Sequence, residues 1–377
     1  MNILVAIDSF KGSLSSRLAG EAVKDGFLLA DPSHIITVAS VADGGEGTLD
    51  AITGGKGSIK SAEVLSPTLK KINARFGIEG ERCVIESAEA IGLTLLSENE
   101  RDPEKTSTFG LGQLIAAAIH MGARDFIIGI GGSSTNDCGI GMLSALGYEF
   151  YNAKGERRIH GASALADIAY IKSDKVIKEL PKCSFTVACD VDNPLCGERG
   201  ASHIYAPQKG ASPSSVLRMD KSMENFADLC KKYLPSSDKD LPGAGAAGGL
   251  GFAFTAFLGG KLKKGTDIVL SAIGIEEKIK NCDLVITGEG RLDHQSANGK
   301  APIGIASLAK KHGKRVIAFS GCIGNGAEDL NALGIDAFFP ILRSITSLEE
   351  AMDIENAYEN LKATAYQVAR LIHNCKR

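Results

Sequence analysis

FIIGIGGSSTND, residues 126–137, is an apolar run that stops at two adjacent glycines and gives way to small polar residues. GIGMLSALG (139–147) follows with helical character, so the stretch reads as strand, tight turn, helix. The same grammar recurs along the chain. NILVAID (2–8), IITVASVAD (35–43), SFTVACD (184–190), CDLVITGEG (282–290), KRVIAFSG (314–321) and AFFPIL (337–342) read as strands. Residues 107–122 and 214–234, a segment that Pro302 starts and Gly313 stops, and residues 347–373 read as helices. The section 59–87 has short alternation broken by turns and is strand-rich. Alternating strands and helices imply an α/β fold with largely parallel sheet. Two strong strands before the β-rich section are too few for a sheet with its own core. The expected arrangement is therefore two α/β domains. One is discontinuous and built from 1–60 and 283–377, and the other is central, 61–282.

The bulk properties agree with that plan and remove several functions. A chain of 377 residues exceeds what one core usually serves. Net charge is −3 with no block of like charges, so no nucleic acid partner is expected. No apolar stretch reaches the roughly 18 residues of a membrane span, and no membrane partner is expected. Asp8 interrupts the first apolar run, which reads as a buried strand, not a signal peptide. Nine scattered cysteines without a C-x-x-C pair fit reduced thiols in the cytoplasm. The seven histidines lack zinc-ligand spacing. A monomer or small homo-oligomer is expected.

The 44 glycines are concentrated directly after the strands. ASVADGGEGT (39–48), GIGGSSTNDCG (129–139), ACDVDNPLCGERG (188–200) and VITGEGRLD (285–293) each combine glycine with Asp or Glu at a strand end, where open α/β sheets bind ligands. Glycine lets backbone N–H groups converge on phosphate oxygens. Carboxylates beside a phosphate call for a cation, and Mg²⁺ takes one or two carboxylates plus phosphate oxygens. The combination describes phosphoryl transfer to a small molecule. No G-x-x-x-x-G-K-[ST] loop and no protein-kinase motif set is present. PGAGAAGGLG (242–251) contains a formal G-x-G-x-x-G without a clear strand before it, and close helix packing explains it equally well. The glycine pattern also prompts an NAD(P)-dependent hydroxy-acid dehydrogenase, and the two-domain plan a non-catalytic organic-acid sensor.

IDSFKGSLS, VADGGEGT, GIGGSSTNDCG, ACDVDNPLCG, AGAAGGLG and VITGEGRLDHQSANGKAPIG, in this order and spacing, resemble the bacterial glycerate kinase family over essentially the whole chain. Cys138 stands where glycine is expected, and Ser296 where threonine is common. The resemblance implies two α/β domains, one of them flavodoxin-like and here assigned to the centre, with the active site in the cleft between them. It also implies ATP and Mg²⁺, D-glycerate as acceptor, and 2-phosphoglycerate in preference to 3-phosphoglycerate.

On that basis each turn receives a role. Asp190 or Asp8 takes the proton of the attacking hydroxyl; Asp190 is favoured for its adjoining Asn-Pro turn, while Asp8 could instead serve as a helix cap. Lys11 supplies a cation beside Asp8, for catalysis and for the substrate carboxylate. Ser9, Asn193, Arg291 and Asp293 complete the substrate contacts, with an Arg291–Asp293 structural ion pair as the competing reading. Gly131, Gly132, Ser133, Ser134 and Thr135 form the phosphate cradle. Gly288, Glu289 and Lys300 also face the nucleotide, and Asp43 and Glu46 hold the metal. Asn136 and Asp137 either touch ligand or cap the next helix. Cys138 and Cys189 read as packing residues.

Overall fold

Along the first strand the side chains divide between two cores. Ile3, Val5 and Ile7 pack with Val23, Phe27 and Leu361, whereas Leu4 and Ala6 pack with Ile305, Ala306 and Leu330. This alternation is what a strand buried on both faces requires, and it explains why the segment reads as one unbroken apolar run. The computed structural model describes residues 1–54, 58–298 and 300–374. They fall into two units, one from Met1–Asp43, Asp50–Gly54 and the chain from Thr266 onward, the other from Gly44–Leu49 and the chain up to Gly265.

In the unit of the chain ends, five parallel strands lie in the order Ala337–Pro340, Arg315–Ile323, Leu284–Leu292, Asn2–Val5, Ile35–Val38. Counted along the unit from the far edge, this is 2-1-3-4-5, the flavodoxin-like order. The flavodoxin-like sheet thus belongs to the chain ends and not to the centre. The long helix Ile354–Asn374 packs on Ser16–Ala30, burying Leu361, Ala365 and Val368 against Ala19, Val23 and Phe27.

The central unit has a six-stranded sheet ordered Lys261–Lys263, Ser184–Ala188, Asp125–Gly129, Arg82–Glu86, Lys71–Glu79, Ile59–Leu65. The first four strands are parallel; the last two, the β-rich section of the sequence, join antiparallel through hairpins. Glu149–Asn152, flanked by Arg157–Arg158 and Ile168–Lys172, forms a separate small antiparallel sheet.

The junctions differ from the expected 60/61 and 282/283. Residues 266–282 join the chain ends because Leu270, Ile275, Ile279 and Cys282 pack into the core of Val285 and Ile305. Residues 44–49 join the centre because Leu49 N–H donates to Glu86 Oε1 at 2.7 Å and Gly44 packs directly on Gly129.

Gly26 sets how closely the two long helices approach. A Cβ there would lie 2.4 Å from the Lys362 carbonyl oxygen, a backbone atom that no rotamer change can move. Gly26→Ala gains up to about 1 kcal/mol of helix propensity, but overpacking costs roughly 1–3 kcal/mol. The steric term is expected to win, so urea unfolding should show a lower midpoint for Gly26→Ala; an unchanged or higher midpoint would contradict this packing.

Candidate active site

In a 2-1-3-4-5 sheet the ligand crevice opens beyond the carboxyl ends of the two strands whose following connections leave in opposite directions. Here those strands are Asn2–Val5 and Leu284–Leu292. The helix after the first, Ser16–Ala30, covers one face of the sheet, and the helix after the second, Ala301–Lys311, covers the other. Parallel pairing continues beyond Val5: Ala6 N–H donates to Ile286 O at 2.8 Å and Asp8 N–H to Gly288 O at 2.9 Å. Gly288 has φ +151°, and a Cβ there would sit 1.9 Å from the Phe319 carbonyl oxygen. Only glycine lets this strand carry Glu289 past its neighbour.

Asp8 is only 5% exposed at this crevice. Burial first, and then the Asp43 charge, push its carboxyl up to about 7; Glu289 adds to the rise, while the Ser9 amide and Lys11 oppose it. The Ser9 amide donates to Asp8 Oδ1 at 2.7 Å and so fixes the carboxyl plane. Lys11 Nζ sits 2.9 Å from Asp43 Oδ2. Glu289 is buried, with Oε1 accepting from Ser296 Oγ at 2.5 Å and Oε2 3.1 Å from Lys300 Nζ. Arg291 Nε lies 3.0 Å from Asp293 Oδ2, the ion pair that competed with the ligand reading. Burial works to raise the Asp293 carboxyl, but the Gln295 amide, Arg291 and Lys300 together hold it below its ordinary value. Asp8, Ser9, Lys11, Asp43, Gly288, Glu289, Arg291, Asp293 and Lys300 are all residues of the chain-end unit.

The central unit holds the other residues singled out. Gly131 and Gly132 are exposed at the tip of the loop after Asp125–Gly129, with Ser133 beneath them. The Ser134 hydroxyl and amide both donate to Ile91 O at 2.9 Å, so this side chain secures the loop from inside. Asp137 accepts from the Thr108 amide and hydroxyl and from the Gly139 and Gly141 amides; Asn136 donates to Ser202 Oγ. Both are fully buried, and Asp137 takes the capping role. The glycine-rich stretch 243–248 packs against the back of the loop. Ala247 and Gly248 have positive φ, and a Cβ on Gly248 would meet the Thr135 carbonyl oxygen at 2.1 Å. Close packing therefore accounts for the formal dinucleotide motif.

Asp190 and Asn193 are both tied into the turns of the central unit. Asp190, favoured as the base, is exposed, and its Oδ1 accepts from the Gly265 amide at 3.0 Å. Asn193, expected to touch substrate, spends its amide on Tyr205 Oη and the Arg199 carbonyl, holding the 193–205 turn. Glu46 is exposed. Burial raises the Cys138 and Cys189 thiols, consistent with packing, and the eight described cysteines are all free. The residue the sequence did not mark is Lys209, which is buried under the 131–135 loop. It lies in a short PQKG turn with no periodicity to signal burial.

The pattern of the family described as "Glycerate kinase family" matches residues 3–373. Glycerate 2-kinase of Escherichia coli K12 is 44% identical over 98% of this chain and 97% of its own length. Glycerate kinase of Bacillus subtilis 168 is 42% identical over 100% of this chain and 99% of its own. A crystal structure from Salmonella typhimurium LT2, described as glycerate kinase 2, superposes with a TM-score of 0.90 at 41% identity, covering 100% of this chain and 99% of that one.

The Asp8 environment has a consequence for stability. Its folded-state carboxyl lies near 7 against an ordinary 3.8, so its stabilising contribution is complete below pH 4 and lost as pH rises through 7. Asp8→Asn keeps the acceptor for the Ser9 amide and cannot ionise. Relative to wild type it is expected to gain stability progressively between pH 4 and pH 8, by at most about 4 kcal/mol. Urea unfolding of both proteins across that range measures the gain; a pH-independent difference would refute it.

Proposed function

The chain belongs to the glycerate kinase family, and from that membership we propose that this ATP-dependent kinase places the γ-phosphoryl group on the 2-hydroxyl of D-glycerate, giving 2-phosphoglycerate and ADP. The 2-position is carried over from the name of the Escherichia coli relative, glycerate 2-kinase. The observation that carries the mechanism is the buried Asp8 carboxyl, poised near 7 at the sheet's switch point. A general base works best when its pKa lies near the working pH.

In this reading Asp8 takes the proton from the attacking hydroxyl as the oxygen bonds to phosphorus and ADP leaves. Lys11, beside Asp43, balances the charge that Asp8 acquires on deprotonation. Arg291 keeps Nε on Asp293, and its side chain is 66% exposed, leaving the terminal nitrogens for the glycerate carboxylate. Ser9 completes that contact and Asp293 accepts from a glycerate hydroxyl, while Asn193 is reassigned to holding its own turn. Gly131, Gly132 and Ser133 receive nucleotide phosphate, with Thr135 holding the loop from beneath; Gly288 and Lys300 also face the nucleotide, and Glu289 holds Lys300 in place. Among the described residues no group of three or more His, Cys, Asp or Glu forms a preassembled metal site. That suits Mg²⁺, which takes few protein carboxylates and completes its shell with phosphate oxygens and water. Asp43 in the chain-end unit, or Glu46 in the central unit, would hold it, and the ion would neutralise phosphate charge. No described helix is long and apolar enough to cross a membrane. With the free cysteines, a reducing cytoplasm suits the chain.

Phosphorus NMR of the product without proton decoupling tests the position. Phosphate on C2 couples to one carbon-bound proton and gives a doublet; phosphate on C3 couples to two and gives a triplet. A doublet is expected, and a triplet would overturn the assignment. For the base, Asp8→Asn is expected to lower kcat by roughly 10²–10⁴ with ATP KM nearly unchanged. Asp190→Asn should stay within a few-fold of wild type; the reverse pattern would return the base to Asp190.

A further inference from the structure

Lys209 has 2% of its surface exposed, yet it is a lysine. It closes the short helix Pro207–Lys209, and its ammonium reaches back to the glycine loop, donating to Ser133 Oγ at 2.9 Å and to the Thr135 carbonyl at 2.7 Å. Among the described residues no carboxylate oxygen lies within 4.0 Å of it. Asp137 acts on it from farther away, and that carboxylate is already taken up by Thr108, Gly139 and Gly141. Burial pushes the ammonium down to about 7, with Asp137 working in the opposite direction. An ammonium buried on neutral acceptors is a poor way to hold a loop. A well-packed apolar side chain of similar volume is often as stabilising or more so.

The hydrogen-bond directions show what the charge accomplishes. Ser133 Oγ accepts from Lys209, so the hydroxyl proton remains for donation to something else. The Thr135 carbonyl is drawn toward the ammonium, so a dipole that would repel an anion is held toward the interior of the unit. Behind the loop, Thr135 Oγ1 and Asn136 Oδ1 are buried with no hydrogen-bond partner among the described residues. We propose that Lys209 is a positioning residue of the nucleotide site: it presets the Ser133 hydroxyl as a donor to a phosphate oxygen and supplies the positive charge behind the 131–135 loop. This rests on the reading of that loop as the phosphate cradle.

The test compares Lys209→Met, Ser133→Ala and the double variant, using MgATP and glycerate as substrates. Lys209→Met matches the lysine stem and removes only charge and donors. It is expected to raise ATP KM at least tenfold, to leave glycerate KM within twofold, and to leave the melting temperature close to wild type. Ser133→Ala should also raise ATP KM. The double variant should be no more than about twofold worse than Lys209→Met, because the lysine acts through the serine. If Ser133→Ala raises ATP KM while Lys209→Met does not, the cradle stands and the Lys209 proposal falls. If neither changes ATP KM, the cradle reading itself falls and the proposal with it. Lys209→Gln guards against a defect peculiar to methionine. Failure of both Lys209 variants to fold would assign the lysine to the architecture alone and overturn the proposal.

Discussion

A single backbone hydrogen bond, from the Asp8 amide to the Gly288 carbonyl, sets the chemistry of the chain-end unit. It extends the pairing of the first strand with Leu284–Leu292 past the regular register, which begins at Ile3 opposite Leu284. Two residues nearly three hundred positions apart are thereby fixed side by side, and Asp8 is seated beside Glu289. The bond exists only because Gly288 can pass the Phe319 carbonyl without a side chain. Everything then follows from crowding. Asp43, brought in at the end of the neighbouring strand's turn, and Glu289 make ionisation of a buried Asp8 costly, while Lys11 and Lys300 keep the cluster from flying apart. The expense is offset by the large apolar cores on both faces of the sheet, as is usual where a binding site stores unfavourable electrostatics.

The central unit applies the same physics with the opposite sign. Its glycine loop is tied down from within by Ser134, Asp137 and the close approach of Gly248. Two exposed glycines remain at the tip, with a buried ammonium behind them. A carboxylate cluster that resists its own charge suits taking a proton from a hydroxyl, and a buried cation behind open amides suits an anion.

Much of this was legible in the sequence for a local reason. Apolar runs that stop at glycine announce strand ends, so the places of Asp8, Glu289 and Ser133 just beyond strands could be named from their neighbours alone. The family, too, was written in the order of those turns. Non-local facts were not legible. Which sheet is flavodoxin-like depends on Ile3 pairing with Leu284, and nothing near either residue encodes that partner. Asp190 looks like Asp8 in sequence, each closing an apolar strand, but one ends exposed and the other buried among acids. Asn193 and Ser134 hold their own turns, a use of small polar residues that a glycine turn's sequence does not separate from ligand contact. Lys209 sits in a stretch without pattern, and only the packing around it makes the charge meaningful.

Asp8 is a carboxyl held near neutrality by its surroundings. Carbon-13 NMR of protein labelled at the aspartate side-chain carboxyl, titrated from pH 3 to pH 9, measures this directly. The resonance present in wild type and absent from Asp8→Asn identifies the residue. A midpoint near 7 is the predicted result; a midpoint near the ordinary aspartate value of about 4 would show that burial and Asp43 do not perturb Asp8.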